Sequence, residues 1–207
     1  MKMKQLLITL LLVLATALNV TAQDNAWEQT ASPAGQAVNP DQKYLAGAVP
    51  VVDDHIVFAT TIAAPGKSKQ QVFDIMRQQL TALTKDASQL DQSRLVIDDA
   101  DKGQLCGSYR ERLIFKNKPL SLDYTIFNYH VIADCRDGEA AVKLTRVIYI
   151  VDPERDAQLM RGEEWITDRY GLNKSQTKLA RVSGKFRRKT IDRKDYLFNL
   201  FTKALQQ

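Results

Sequence analysis

Arg110, Arg112, Asn128, His130, Thr145 and Tyr149 carry the side chains best suited to hold a ligand in this 207-residue chain. Guanidinium, amide, imidazole, hydroxyl and phenol groups bind anions and hydrogen-bonding molecules. The simpler reading of this set is a solvated sheet face, which antiparallel sheets commonly have. A second set, Lys185, Arg187, Arg188 and Lys189, forms the run Lys-Phe-Arg-Arg-Lys. It suits phosphate or carboxylate contacts, with Phe186 stacking beside them. Its simpler reading is a solvated surface that pairs with the acidic remainder of the chain.

Patterns that would carry catalysis or a metal are missing. There is no H-E-x-x-H, C-x-x-C or G-x-S-x-G. His55 and His130 are the only histidines and stand on separate strands, so neither a metal site nor a cofactor is expected. Asp98-Asp99-Ala100-Asp101-Lys102-Gly103 invites comparison with a calcium loop, but Ala100 and Lys102 stand where oxygen ligands are required. An acidic turn accounts for it better.

The elements that must position these residues follow from periodicity. Residues 55–62 alternate as a first strand, and Pro65-Gly66 ends it. Ser68 and Gln71 form an S-x-x-Q capping box for a helix to about Leu83, with Val72, Met76, Leu80 and Leu83 as its apolar stripe. Strands are expected over 93–97, 104–116, 124–135 and 140–151. A helix is expected from Pro153 to Tyr170, then a basic, partly extended stretch over 173–190, then a last helix from about Asp192. The fold class is α+β: a curved antiparallel sheet of about five strands backed by helices, in the order β-α-β-β-β-β-α-α.

Asp137-Gly138 is the strongest hairpin signal and sets a register. Arg136 opposite Glu139 puts Val131 against Leu144, Phe127 against Ile148 and Thr125 against Ile150. That face is apolar apart from Arg146, opposite Tyr129. Asn128 and His130 then share the other face with Arg110 and Tyr149. The same parity puts Cys135 on the apolar face and Cys106 on the other, which disfavours a Cys106–Cys135 disulfide, since a one-residue slip reverses every side chain.

Lys2 and Lys4 precede an apolar run from Leu6 to Val20, followed by Thr21 and Ala22. Residues 1–22 therefore read as a secretory leader cut near Ala22, and no membrane span is expected after processing. Residues 23–50 are polar and broken by Pro33, Gly35, Pro40 and Gly47, a flexible segment with local order around Tyr44 and Leu45, ahead of one α+β domain over 51–207. Removing the leader's two lysines lowers the net charge from +5 to +3. Ten cations and two acids between Lys174 and Lys203 leave a basic segment, 173–207, on a mildly acidic body. Its expected contact is an anionic surface; export makes nucleic acid an unexpected partner.

Several features together resemble a known family. They are the leader, the strand over 55–62 followed by Ala64-Pro65-Gly66-Lys67-Ser68-Lys69, and the helix with Val72-Phe73. The Asp137-Gly138 hairpin and Gly184-Lys185-Phe186-Arg187-Arg188-Lys189-Thr190 complete them. From about Ile56 to Leu205 the chain is similar to an exported bacterial family, domain of unknown function 4468, described as having a TBP-like fold. The resemblance implies a curved antiparallel sheet backed by helices and transfers no catalytic residue. The expected function is a non-enzymatic binding or interaction module of the bacterial envelope, periplasmic or secreted, with an unknown ligand or protein partner. The alternatives are a small hydrolase using His130, or a structural component held to the envelope by its basic end.

Overall fold

A computed structural model describes Asn25, Trp27 and residues 39–118 and 121–207. The leader lies outside the described residues. The first elements are β1 (Val51–Val52), β2 (His55–Ala63) and α1 (Lys69–Leu83), followed by β3 (Arg94–Asp99), β4 (Gln104–Lys118), β5 (Ser121–Arg136) and β6 (Glu139–Val151). After them come β7 (Gln158–Arg161), the short helix α2 (Asp168–Gly171) and the long helix α3 (Ser183–Gln206). The strands form one antiparallel sheet in the order β1-β2-β6-β5-β4-β3, and β7 also pairs with β6. This is the α+β architecture expected, with seven strands among the described residues rather than about five.

The expected capping box is present: Gln71 N donates to Ser68 Oγ at 3.4 Å and Ser68 N donates to Gln71 Oε1 at 2.9 Å. The β5–β6 turn reinforces this helix end. Gly138 takes the left-handed backbone at φ +74, which glycine adopts without strain. Asp137 Oδ1 accepts from Lys69 N at 2.7 Å, placing a carboxylate where the helix dipole favours one. One hairpin tip thus locks both the register of β5 with β6 and the start of α1.

Helices α1 and α3 cover one sheet face. Val72, Met76 and Leu80 of α1 and Leu197, Phe201 and Leu205 of α3 are fully buried there, with Leu105, Leu113, Phe127 and Val131 of the sheet. Aromatic rings continue the layer, with Phe127 stacked between Tyr129 (4.6 Å) and Tyr149 (5.4 Å). Gly107 makes room for Tyr109, whose hydroxyl donates to Leu80 O of α1 at 2.9 Å.

Within this core Glu111 and Arg193 are both fully buried and joined at 2.6 Å. Burial pushes the Glu111 carboxyl up from its ordinary range, and the Arg193 charge opposes that rise. Gln89 Nε2 and the Tyr129 hydroxyl also donate to Glu111 Oε2, while Trp27 and Tyr196 lie against the guanidinium. Glu111 is the one charged residue among the odd positions 105–115 of β4, which are otherwise Leu105, Gly107, Tyr109, Leu113 and Phe115, and this pair is the reason it can stay there.

Three expectations are corrected. The 153–170 helix is instead strand β7, a 3-10 turn at Gly162–Glu164 and the four-residue α2. The basic stretch over 173–190 is not extended throughout, because α3 begins at Ser183 and carries Lys185, Arg187, Arg188 and Lys189 on its first turns. The described part of the 23–50 segment is packed: Asn25 pairs with the backbone of Ile114, and Trp27, Tyr44 and Val49 are buried.

Candidate functional site: the open face of the sheet

The register of 130–136 with 139–145 follows the hairpin expectation, running from Arg136↔Glu139 to His130↔Thr145. It then shifts, and Asn128 pairs with Ile148 and Phe127 with Tyr149. The extra residue is a bulge in β6 at Arg146, which adopts φ +57, a backbone region uncommon for a residue with a side chain. The same place marks a change of neighbour. Before it β6 pairs with β2, ending at Val57↔Thr145; beyond it β6 pairs with β7, starting at Ile148↔Arg161. The bulge turns Arg146 out of the core and brings Val147 and Tyr149 in.

Tyr149 is therefore fully buried on the helix side, with its hydroxyl against Thr190, and does not join the open face as expected. Thr145 is also buried, its hydroxyl donating to Ile56 O at 2.7 Å. Arg110, Asn128 and His130 do share the open face, because Arg110 pairs with Asn128 and Ser108 with His130. All three are half-buried, and Arg112 is exposed, its guanidinium 5.8 Å from the Tyr124 ring.

Strand pairing also brings cations that sequence reasoning did not single out. Arg161 falls in the same row as Arg110, Asn128 and Ile148, and Lys143 pairs with Ile132. Ile126, Ile132, Ile148 and Ile150 lie half-buried between them. Arg146 had left a signal as the misfit in the apolar register. Arg161 left none, because β7 read as helix.

Among the described residues, Arg110, Arg112, Lys143 and Arg146 have no carboxylate within 4.0 Å. Arg161 approaches Glu163 only at 4.0 Å. The acids of this face are engaged at its two ends, with Glu154 accepting at 2.6 Å from the hydroxyl of Tyr124, the ring beside Arg112, and the others at the opposite end. Asp134 accepts from Gln104 at 3.2 Å, and Asp99 from the Lys102 ammonium at 3.0 Å. Burial, then the Arg146 charge, lowers the His130 pKa from its ordinary value. The face is thus an aliphatic floor with unneutralised positive charge around it.

The basic run on α3 is differently disposed. Arg187 is fully buried, a correction to its expected anion-binding place. Its guanidinium donates to Tyr44 O (2.6 Å), Leu45 O (2.6 Å), Ile166 O (2.7 Å) and Asp168 Oδ1 (2.7 Å). Phe186 is buried against Phe115, Tyr149 and Trp165 and is not available to stack on a ligand. Lys185 pairs with Asp123 at 2.7 Å and Arg188 with Asp41 at 2.6 Å, while Lys189 is half-buried beside them. Cys106 and Cys135 are free thiols, both buried, on opposite faces. Burial raises both, and Cys135 to about 11.

The Asp98–Gly103 stretch is the β3–β4 turn, closed by Lys102 N donating to Asp99 Oδ1 at 3.0 Å. No cluster of three metal-ligating side chains occurs among the described residues. No helix among them is long and apolar enough to cross a membrane. The surface depressions over α1 (Asp74, Arg77, Lys85) and beside β1 gather none of the expected site residues, and the second sets Arg161 among Asp54, Glu163 and Glu164.

The geometry has solved relatives. A DUF4468 family protein from Bacteroides ovatus ATCC 8483 is 36% identical with a TM-score of 0.75, covering 82% of this chain and 97% of its own. A TBP-like protein from Parabacteroides distasonis ATCC 8503 is 19% identical, with a TM-score of 0.62 and coverage of 76% and 96%, and supports the fold alone. No curated protein matches the chain. The family described as domain of unknown function (DUF4468) with TBP-like fold matches residues 58–150. With that match and the 36% relative aligned over nearly its whole length, the chain belongs to the DUF4468 family.

Proposed function

We propose that this protein is an exported, non-enzymatic binding module whose open sheet face takes an anionic ligand with an apolar portion. The observation that carries this reading is the unneutralised set Arg110, Arg112, Lys143 and Arg146 around a half-buried isoleucine floor. Cations over partly desolvated aliphatic surface favour a ligand that supplies both charge and apolar contact. The bulge adds to the reading, since bulges re-aim side chains at sites of use. Export is supported by the leader, with its two lysines, apolar run and small residues near Ala22.

The alternatives have less behind them. A hydrolase using His130 needs an orienting acid, and the charge acting on His130 is Arg146 rather than a carboxylate. Attachment through the basic end is left with part of its charge: Arg187 is buried and Lys185 and Arg188 are paired internally, while Lys174, Lys178, Arg181 and Lys203 are exposed. The test is to purify the mature protein gently from its native envelope and identify by mass spectrometry what accompanies it. The expected result is an anionic component that is lost from the folded Arg110→Ala/His130→Ala variant. An equal yield with that variant would remove the open face as the binding surface.

A further inference from the structure

The row Arg110–Asn128–Ile148–Arg161 crosses four neighbouring strands, β4, β5, β6 and β7. Three strand spacings of about 4.8 Å set its flanking arginines about 14 Å apart at the backbone. The next row, Arg112–Ile126–Ile150–Leu159, repeats the arrangement with one arginine and an apolar far side. The floor between the flanks is aliphatic. The strip of isoleucines runs along β5 and β6, and Arg146 stands at its end where β6 bulges.

We infer that the occupant of this face is an acidic amphipathic helix of a protein partner. The inference rests on the open-face reading and deepens it. A helix with side chains is about 10–12 Å across, so it fits between two flanks about 14 Å apart. Its apolar stripe would rest on Ile126, Ile148 and Ile150, and carboxylates on its two shoulders would reach Arg110 and Arg112 on one side and Arg161 on the other, with Arg146 at the end of the strip. Helix-in-groove recognition uses this division between apolar anchors and flanking charge. Two other anionic partners fit less well. Single-stranded nucleic acid is held by stacking on aromatic rings, and the central floor residues are isoleucines. A bilayer surface presents a broad plane, whereas the central isoleucines are only half-exposed and lie between arginine-bearing strands.

The test uses the mature chain and a synthetic peptide of about five turns, with leucines at i, i+3, i+4 and i+7 and glutamates on both shoulders. Binding is read by fluorescence anisotropy. The controls are a scrambled peptide of the same composition and phosphatidylglycerol vesicles. The expected result is binding of the amphipathic peptide at least tenfold tighter than the scrambled one. Binding should weaken at least tenfold in Arg110→Glu/Arg161→Glu, and to a lesser degree in the milder Arg110→Gln/Arg161→Gln, both checked for folding by circular dichroism. Equal binding of the scrambled peptide would overturn the helix inference and leave the anion-binding face standing. Vesicle binding without peptide binding would replace the helix with a lipid surface. Absence of binding by either peptide would also overturn the inference, while the broader reading is decided separately by the native purification.

Discussion

Arg146 stands beside His130 on the open face because one extra residue in β6 turns it there. The register counted from Asp137-Gly138 would have placed it in the core opposite Tyr129; the bulge at φ +57 moves it out and lets Val147 and Tyr149 in. The strain of a non-glycine residue in this region, of order 1–3 kcal/mol, is set against burial of a guanidinium without a partner, which costs more.

Proximity to Arg146 makes His130 a reporter of the site. Its folded pKa lies below the ordinary value because of burial and then Arg146. Between the folded pKa and the ordinary value of about 6.5, the unfolded chain binds more protons than the folded one. His130 therefore contributes stability that is fully present above the ordinary pKa and is lost as pH falls through the folded pKa. Arg146→Ala should move the His130 titration upward in NMR and flatten this part of the pH–stability curve. A bound anion should also raise the His130 pKa, so binding should tighten as pH falls towards it. An unmoved titration in Arg146→Ala would separate the two residues.

The Glu111–Arg193 pair should behave as a buried unit. Arg193→Met leaves a carboxylate without its counter-charge and is expected to destabilise the fold by about 3–5 kcal/mol. The double variant Glu111→Leu/Arg193→Met should be less destabilised than that single one, as urea denaturation would show. Additive losses would contradict coupling between the two.

Arg187 should prove structural. Arg187→Lys cannot reproduce the fork of donors that reaches Tyr44 O, Leu45 O, Ile166 O and Asp168. Thermal denaturation should show a clear loss of stability. Hydrogen exchange should rise selectively around 42–48, where these contacts hold the chain against α3. Unchanged exchange there would contradict the assigned role.

Gly107→Ala places a Cβ 2.2 Å from the Tyr109 hydroxyl oxygen, so the ring must shift and its bond to Leu80 O is put at risk. Overpacking of this kind costs about 1–3 kcal/mol, measurable by urea denaturation. A neutral result would show that the ring can relax.

Much of the fold was legible because local chemistry and global architecture agree in those places. Ser68 and Gln71 announced the start of α1, and Asp137-Gly138 set the lower half of the β5–β6 register. The apolar odd positions of β4 marked the face that the helices cover. What was not legible depended on partners distant in sequence. Arg187 and Arg193 occupy buried positions of α3, so charge conceals the apolar periodicity and the pattern starts the helix near Asp192 rather than at Ser183. The 153–170 stretch reads as helix in the sequence, but pairing with β6 makes 158–161 a strand. The candidate site was readable at Arg110, Asn128 and His130, which keep their parity. Tyr149 was misplaced because a single-residue bulge reverses everything beyond it, and only the discomfort of Arg146 in the core hinted at that.

The most direct test of the central claim is photocrosslinking in intact cells from benzoylphenylalanine placed at position 148 on the open face, with position 78 on α1 as control. A discrete adduct is expected from position 148, disappearing in Arg110→Glu/Arg146→Glu, and none from position 78. Equal adducts from both positions, or an adduct from 148 indifferent to the charge reversal, would contradict the open face as the binding surface.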